Sequence, residues 1–259
     1  MRAVTAKGMT RGTTKSMSSD WIIPEWPAPA RVRSLLTTRR GGVSRGAYAS
    51  LNLGDHVGDD PRAVAENRRL LTRLAPPPLW LNQVHGIRVL DAAQVFAPLG
   101  MEADASFSRK PGVSCAVMTA DCLPVLLCDQ SGTVVAAAHA GWRGLHAGIL
   151  EHTVAAMSCS GAGLLAYLGP AIGPQSFEVG DEVRTAFIDI DQAAEIAFKP
   201  HGVKWLADIY LLARQRLARL GVNNVFGGGG CTVEEPERFF SYRRDGVTGR
   251  MASMIWLEA

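Results

Sequence analysis

No apolar run in this 259-residue sequence approaches the roughly eighteen residues that a helix needs to cross a bilayer, so neither a membrane span nor a membrane partner is expected. Cysteine is sparse. Its positions, Cys115, Cys122, Cys128, Cys159 and Cys231, form no C-x-x-C pair and show no spacing of a disulfide framework. That excludes a secreted disulfide scaffold and points to a reducing, cytoplasmic setting, where a special cysteine acts through metal or thiolate chemistry. Charge of one sign is lacking as well: the net charge is +3 and the basic residues are dispersed, which leaves no clustered face for phosphate neutralisation and argues against nucleic acid as partner. Nucleotide loops are missing too. The run Gly227-Gly228-Gly229-Gly230 lacks the G-x-G-x-x-G spacing ahead of a helix, no G-x-x-x-x-G-K-[ST] occurs, and the glycines are expected to form a flexible turn. Large apolar residues are nearly absent from residues 1–20, which are rich in Thr, Ser, Lys and Arg and should form a disordered tail.

What is present is an ordinary globule with ample core, 47% apolar and 20% charged. A single domain is expected over residues 21–259. Arg31 to Thr38 reads as a strand. Asp59-Asp60-Pro61 opens a helix that should run to Leu74, with Val64, Leu70, Leu71 and Leu74 inward, before Pro76-Pro77-Pro78 stops it. Strand pieces are expected at Leu79 to Val84 and Ile87 to Leu90, and buried strands at Val113 to Met118, Thr133 to Ala138, Leu164 to Leu168 and Met251 to Leu257. Asn223 to Phe226 is a further extended segment, and helices are predicted over Leu145 to Met157, Phe177 to Phe187 and Leu206 to Leu220, the last capped by Gly221. Several strands follow each other too closely for helical crossovers. An α/β layered sandwich with a mixed β-sheet therefore fits better than a strict βαβ array.

Two of the buried runs lead into polar groups. One is followed by Thr119-Ala120-Asp121-Cys122-Leu123, the other by His139-Ala140-Gly141-Trp142-Arg143-Gly144. A thiol and an imidazole are thus expected on one rim, and His85, in Leu81-Asn82-Gln83-Val84-His85-Gly86, could join them. Two nitrogens and one sulfur make a plausible zinc site with one position open. Singly, each of the three is as readily core filling or a hydrogen-bonded surface group. Asp104-Ala105-Ser106-Phe107-Ser108 follows a loop, and its acid could bear on the site. Asp121 could orient a ligand histidine or only cap a turn.

Seven ordered motifs carry a resemblance: Thr38-Arg39-Arg40-Gly41-Gly42-Val43-Ser44, Ser50-Leu51-Asn52-Leu53-Gly54, Asn67-Arg68, Asn82-Gln83-Val84-His85-Gly86, Thr119-Ala120-Asp121-Cys122-Leu123-Pro124, the His139 to Gly144 stretch and Phe240-Ser241-Tyr242-Arg243-Arg244-Asp245-Gly246. Together they resemble the polyphenol oxidase-like, or laccase-domain, purine nucleoside phosphorylase family, which includes bacterial peptidoglycan editing factors. The resemblance implies an α/β sandwich similar to that of cytotoxic necrotizing factor-like cysteine hydrolases. It also implies zinc on His85, Cys122 and His139, phosphorolysis of adenosine, inosine, guanosine and methylthioadenosine, and adenosine deamination. One departure is visible: where the family often carries Cys-Tyr before Glu-Val-Gly, this chain has Ser176-Phe177 before Glu178-Val179-Gly180, which removes a phenol and bears on substrate preference.

The catalytic candidates are therefore Cys122, His85, His139 and Asp121. For the phosphate, Arg68 is favoured because a guanidinium binds phosphate bidentately, with Ser44, Asn52 and Arg243 as helpers; the competing reading of Arg68 is a solvated helix face. Purine nucleosides and phosphate are the expected partners, with a monomer or homodimer as the assembly. Two alternatives keep the fold. Cys122 and His139 could be nucleophile and base of a hydrolase acting on peptidoglycan precursors, or the site could hold copper as a phenol oxidase. Copper is less favoured, because a multicopper oxidase needs more than the six histidines present and paired H-x-H runs that are absent.

Overall fold

A computed structural model of the chain describes residues 20–94 and 101–259. The tail expected to be disordered lies, apart from Asp20, outside the described residues. In chain order the elements are β1 (Val32–Leu36), α1 (Pro61–Leu71), β2 (Pro78–Leu79), β3 (Val89–Asp91), β4 (Ala105–Ser108), β5 (Ser114–Thr119), β6 (Leu123–Asp129) and β7 (Val135–Ala140). Then follow α2 (Trp142–Ala147), α3 (Ile149–Met157), β8 (Leu164–Leu168), β9 (Glu178–Val179), α4 (Asp181–Ile190), β10 (Phe198–His201), β11 (Lys204–Ala207), α5 (Ile209–Arg219), β12 (Asn224–Gly227), α6 (Tyr242–Asp245) and β13 (Met251–Leu257).

Strand alternation sorts the side chains into layers. The mixed sheet of order β12-β8-β6-β7-β4-β3 turns Leu123, Val125 and Leu127 toward α3 and α5, where they meet Ile149, Leu150, Leu212 and Leu217. The intervening Leu126 and Cys128 face the second sheet, of order β1-β13-β5-β2, and pack on Cys115, Val117 and Ile255. That second sheet points Ala116, Met118 and Met254 the other way, onto Leu70 and Leu71 of α1. A period of two in every strand thus yields helices, sheet, sheet and a further helix, the layered α/β arrangement expected from sequence. A small antiparallel sheet, β10-β11-β9, lies beside these layers in the chain order. No helix among the described residues is long and apolar enough to cross a membrane.

Several boundaries differ from expectation, each for a local reason. Helix α1 is capped by the Asp60 side chain, which accepts from the Arg62 N–H, but it ends at Leu71, so Leu74 falls outside it and is exposed. The helix expected over 145–157 is two helices, because Gly148 adopts φ +104 and closes α2 through its N–H to Gly144 and Leu145 carbonyls. Glu178 and Val179 pair with Leu206 and Trp205, which delays α4 to Asp181. In the same way, β11 takes residues 204–207 and leaves α5 to start behind an Asp208 cap. Strand β6 has no counterpart among the strands the sequence predicts: Leu123-Pro124-Val125-Leu126-Leu127-Cys128-Asp129 is central, and it alters how Cys122 is presented.

Candidate metal centre

Cys122 is not at the end of a strand but in the crossing between the two sheets. Strand β5 belongs to one and β6 to the other, and the chain passes through Ala120-Asp121-Cys122 with Asp121 at φ +96. Antiparallel pairing of β6 with β7 sets Pro124 opposite His139 and Leu123 opposite Ala140, so the residue just before β6 sits beside the end of β7. His85 arrives from the loop between β2 and β3, itself at φ +60. Three segments far apart in sequence therefore meet, and the ligand atoms of His85, Cys122 and His139 lie within 4.8 Å of one another.

Asp104 organises this meeting. Its Oδ1 accepts from the His139 Nδ1–H at 2.8 Å and from the His85 N–H at 2.9 Å; its Oδ2 accepts from the N–H groups of Gly86 at 2.7 Å and Val84 at 3.2 Å. The carboxylate is fully buried, and all four of its acceptor directions are filled. Burial alone would raise its pKa, but the His139 ring and the backbone donors outweigh that and hold the carboxyl below its ordinary range. The orienting carboxylate is thus Asp104. Asp121, the candidate from sequence for that task, accepts instead from Thr232 Oγ1 at 2.5 Å and from the Arg243 N–H at 2.7 Å, tying the crossing to the segments beyond α5.

With Nδ1 of His139 engaged, its Nε2 is left for Cys122 or a metal. The Cys122 Sγ lies 3.6 Å from His85 Nε2. Tetrahedral zinc bonds to sulfur and nitrogen place two such atoms about 3.5 Å apart, so the donors present fit a metal of that kind. Burial would push the thiol up, yet His139 and His85 draw it down to about 6. Burial would likewise lower His139, yet the Cys122 thiolate and Asp104 raise it to about 9. By contrast, burial pushes the Cys115 and Cys128 thiols up to about 12, so they are core fillers. Gly141 is small for a reason: a Cβ there would stand 2.8 Å from His85 Cδ2 and 2.9 Å from Cys122 Sγ.

The three donors line a cavity of about 500 Å³, within the range of small-ligand sites. Ile172, Phe177 and Ile209 supply apolar wall; Gln83, Arg143, Arg243, Arg250 and His56 supply polar groups. Gln83 is fixed by accepting from the Met118 N–H at 2.7 Å and donating to its carbonyl at 2.8 Å. Arg243 borders the cavity, with its guanidinium 5.7 Å over the Phe177 ring and one N–H donated to the Glu178 carbonyl.

The other anion-binding candidates stand elsewhere. Arg68 does not line the cavity: it pairs with Asp55 at 3.2 Å, donates to the Leu53 carbonyl and stacks 4.4 Å over Trp80. Ser44 donates to Asp59 at 2.6 Å, and Asn52 donates to Asp59 and Gly54 and accepts from Gly54 and Arg250 backbone N–H groups. Both are buried, and neither lines the cavity. Sequence reasoning gave no role to Arg250 or His56, since a lone arginine after Thr248-Gly249 and a loop histidine carry no motif signal of their own.

A family model described as "Multi-copper polyphenol oxidoreductase laccase" matches residues 33–258. The chain belongs to this family. It is 58% identical over 241 residues to a Pseudomonas aeruginosa protein named purine nucleoside phosphorylase PA4543, covering 92% of this chain and 98% of that one. It is equally 58% identical, over 243 residues, to Escherichia coli purine nucleoside phosphorylase YfiH, covering 92% and 99%. Among solved structures it is similar to Neisseria meningitidis protein NMB0706, with a TM-score of 0.89 at 54% identity over 93% of this chain and 100% of that one. Geobacillus stearothermophilus YlmD follows the same fold, with a TM-score of 0.83 at 32% identity over 98% of each chain. The family's description speaks of several coppers, whereas the described residues hold one clustered donor set, His85, Cys122 and His139.

Proposed function

We propose that this chain is a zinc-dependent purine nucleoside phosphorylase acting on adenosine, inosine, guanosine and methylthioadenosine, with adenosine deamination at the same centre. The observation that carries the reading is the convergence of His85, Cys122 and His139 in the wall of a cavity of nucleoside size that also has apolar and cationic groups. The names of the Pseudomonas and Escherichia relatives support it. Two imidazoles and one thiolate leave a fourth tetrahedral position open, the arrangement of catalytic rather than structural zinc. A blue-copper centre of the same donors needs a weak axial ligand, and the methionine in this cavity wall, Met118, has its sulfur 4.0 Å from the Arg68 guanidinium.

When bound, zinc supplies Lewis-acid polarisation and a water of lowered pKa. The protein supplies the rest. Asp104 fixes the His139 tautomer and orientation, and the Asp104 contacts to three successive N–H groups hold the His85 loop in place. Ile172, Phe177 and Ile209 exclude water from a purine face, while the cationic groups receive phosphate as the bond from ribose to purine breaks. Protein purified without added metal, assayed on adenosine and inosine with and without phosphate, tests this. Zinc near one per chain and phosphate-dependent ribose-1-phosphate are expected. Copper with oxygen uptake, or inosine cleavage indifferent to phosphate, would overturn it.

One observation favours a second reading. Asp104, His139 and Cys122 stand in the order of a carboxylate, imidazole and thiolate, the layout of a cysteine hydrolase that would act on peptidoglycan precursors. His85→Ala separates the two: a dyad of Cys122 and His139 retains activity without His85, whereas a three-donor metal site loses metal and activity together.

A further inference from the structure

Of the three arginines that line the cavity, Arg143, Arg243 and Arg250, none pairs with a carboxylate among the described residues, and Arg250 is the one that is not exposed. Arg250 is partly buried, and its η1 nitrogen donates to the carbonyls of Thr248 at 3.1 Å and Gly249 at 3.0 Å. Among the described residues neither Nε nor the second η nitrogen has an acceptor, and no carboxylate pairs with the group. Buried charges are ordinarily paired, as Arg68 is with Asp55 and Arg216 with Glu151. A guanidinium in a cavity wall with one nitrogen satisfied by backbone, no carboxylate in contact, and Cys122 and Asp121 as its nearest groups of opposite charge keeps donors to offer an anion.

A second polar group stands beside it. His56 borders the same cavity with its Nδ1 3.5 Å from an Asp55 oxygen, and burial and then Arg250 hold its pKa below the ordinary imidazole value, so the ring offers hydrogen bonds rather than added charge. Behind them stands a scaffold of short hydrogen bonds. Asn67 donates to Ser44, Ser44 to Asp59, and Asn52 both donates to Asp59 and accepts the Arg250 N–H at 2.9 Å. The Arg250 stem lies against Gly54, where a Cβ would come 2.8 Å from its Cγ. Asn67, Ser44, Asp59 and Asn52 thus form the frame that holds the Arg250 backbone.

We propose that Arg250, assisted by the His56 ring, is the anion-binding subsite of this cavity and that it takes the phosphate consumed in phosphorolysis. The identity of the anion rests on the phosphorylase reading; the subsite itself rests on the unpaired guanidinium. The apolar Ile172, Phe177 and Ile209 side is then left for the purine.

The test uses the metal-loaded protein with inorganic phosphate as probe, by calorimetric titration without nucleoside and by phosphate-dependent kinetics. Arg250→Gln is expected to weaken phosphate binding and raise the phosphate KM by about 10- to 100-fold, the loss of a charge-assisted bond pair, while the nucleoside KM stays within about twofold. Arg250→Lys keeps stem and charge but not the fork, and should restore part of the affinity. His56→Gln should cost roughly threefold. Metal content and unfolding midpoint report whether Arg250→Gln has folded. Should it fail to fold, Arg250→Lys and His56→Gln decide, and wild-type phosphate affinity in both overturns the subsite. So does a nucleoside KM that rises as much as that for phosphate. If the wild-type protein binds phosphate in an Arg250-dependent way yet releases no ribose-1-phosphate, the subsite stands and the phosphorylase reading falls.

Discussion

Replacing Asp104 by Asn changes one atom and should cost more than most core truncations. The carboxylate has two oxygens, each accepting two hydrogen bonds: His139 Nδ1–H and His85 N–H on one, Gly86 and Val84 N–H on the other. An amide offers one oxygen, so whichever pair of donors meets its NH₂ loses its acceptor in a fully buried place. At about 1.5 to 3 kcal/mol for each bond to a charged group, two lost bonds amount to roughly 3 to 6 kcal/mol. That is a large share of the roughly 5 to 15 kcal/mol by which domains are stable. His85 would also be freed from its left-handed conformation at φ +60, and His139 from its fixed tautomer. Metal affinity should fall at least about 10- to 100-fold, as when a partner behind a ligand histidine is removed. Urea unfolding of metal-free wild type and variant, followed by competition of the folded proteins with a chelator for zinc, measures both quantities. A variant within about 1 kcal/mol of wild type that binds zinc as tightly would refute the assignment of Asp104 as organiser of the centre.

Three further outcomes follow from the same geometry. In metal-free protein Cys122 should alkylate as a thiolate that forms as pH rises through about 6, whereas an ordinary thiol needs about 8.5, and Cys115 and Cys128 should stay silent; pH-dependent iodoacetamide labelling with peptide mapping reads this. Gly141→Ala keeps an unstrained backbone at φ −59 but inserts a methyl between His85 and Cys122, so zinc affinity should drop while unfolding shifts by no more than about 1 to 3 kcal/mol, seen by metal competition beside thermal melts. Phe177→Tyr returns a phenol to the cavity wall and should alter the ranking of purine nucleosides by kcat/KM with zinc content unchanged.

The layered fold was readable because its central strands, such as Ser114–Thr119 and Met251–Leu257, are buried on both faces and therefore mostly apolar, with only small hydroxyl residues among them. Strand β6 escaped for a physical reason: Pro124 within it has no N–H to give a ladder and argues against a central strand, yet it is the second residue of the strand and only its carbonyl is used, by Gly169. Missing that strand made Cys122 look like a strand end rather than a crossing between sheets. His85, Cys122 and His139 were legible as a donor set by residue type. Asp104 and Asp121 could not be told apart in one dimension, since both precede or follow buried strands and only strand pairing shows which one faces His139. Arg68, Ser44 and Asn52 had the right chemistry for an anion but do not line the cavity, while Arg250 reaches it from a C-terminal strand approach that has no anion-binding signature.

The most direct measurement is crystallography of protein purified without added metal, with anomalous diffraction recorded on both sides of the zinc edge. One zinc per chain is expected, about 2.3 Å from Cys122 Sγ and about 2.0 to 2.1 Å from a ring nitrogen of each of His85 and His139, with the fourth position open to the cavity. An anomalous peak at the copper edge instead, or well-ordered protein with no metal among these three residues, would contradict the central claim.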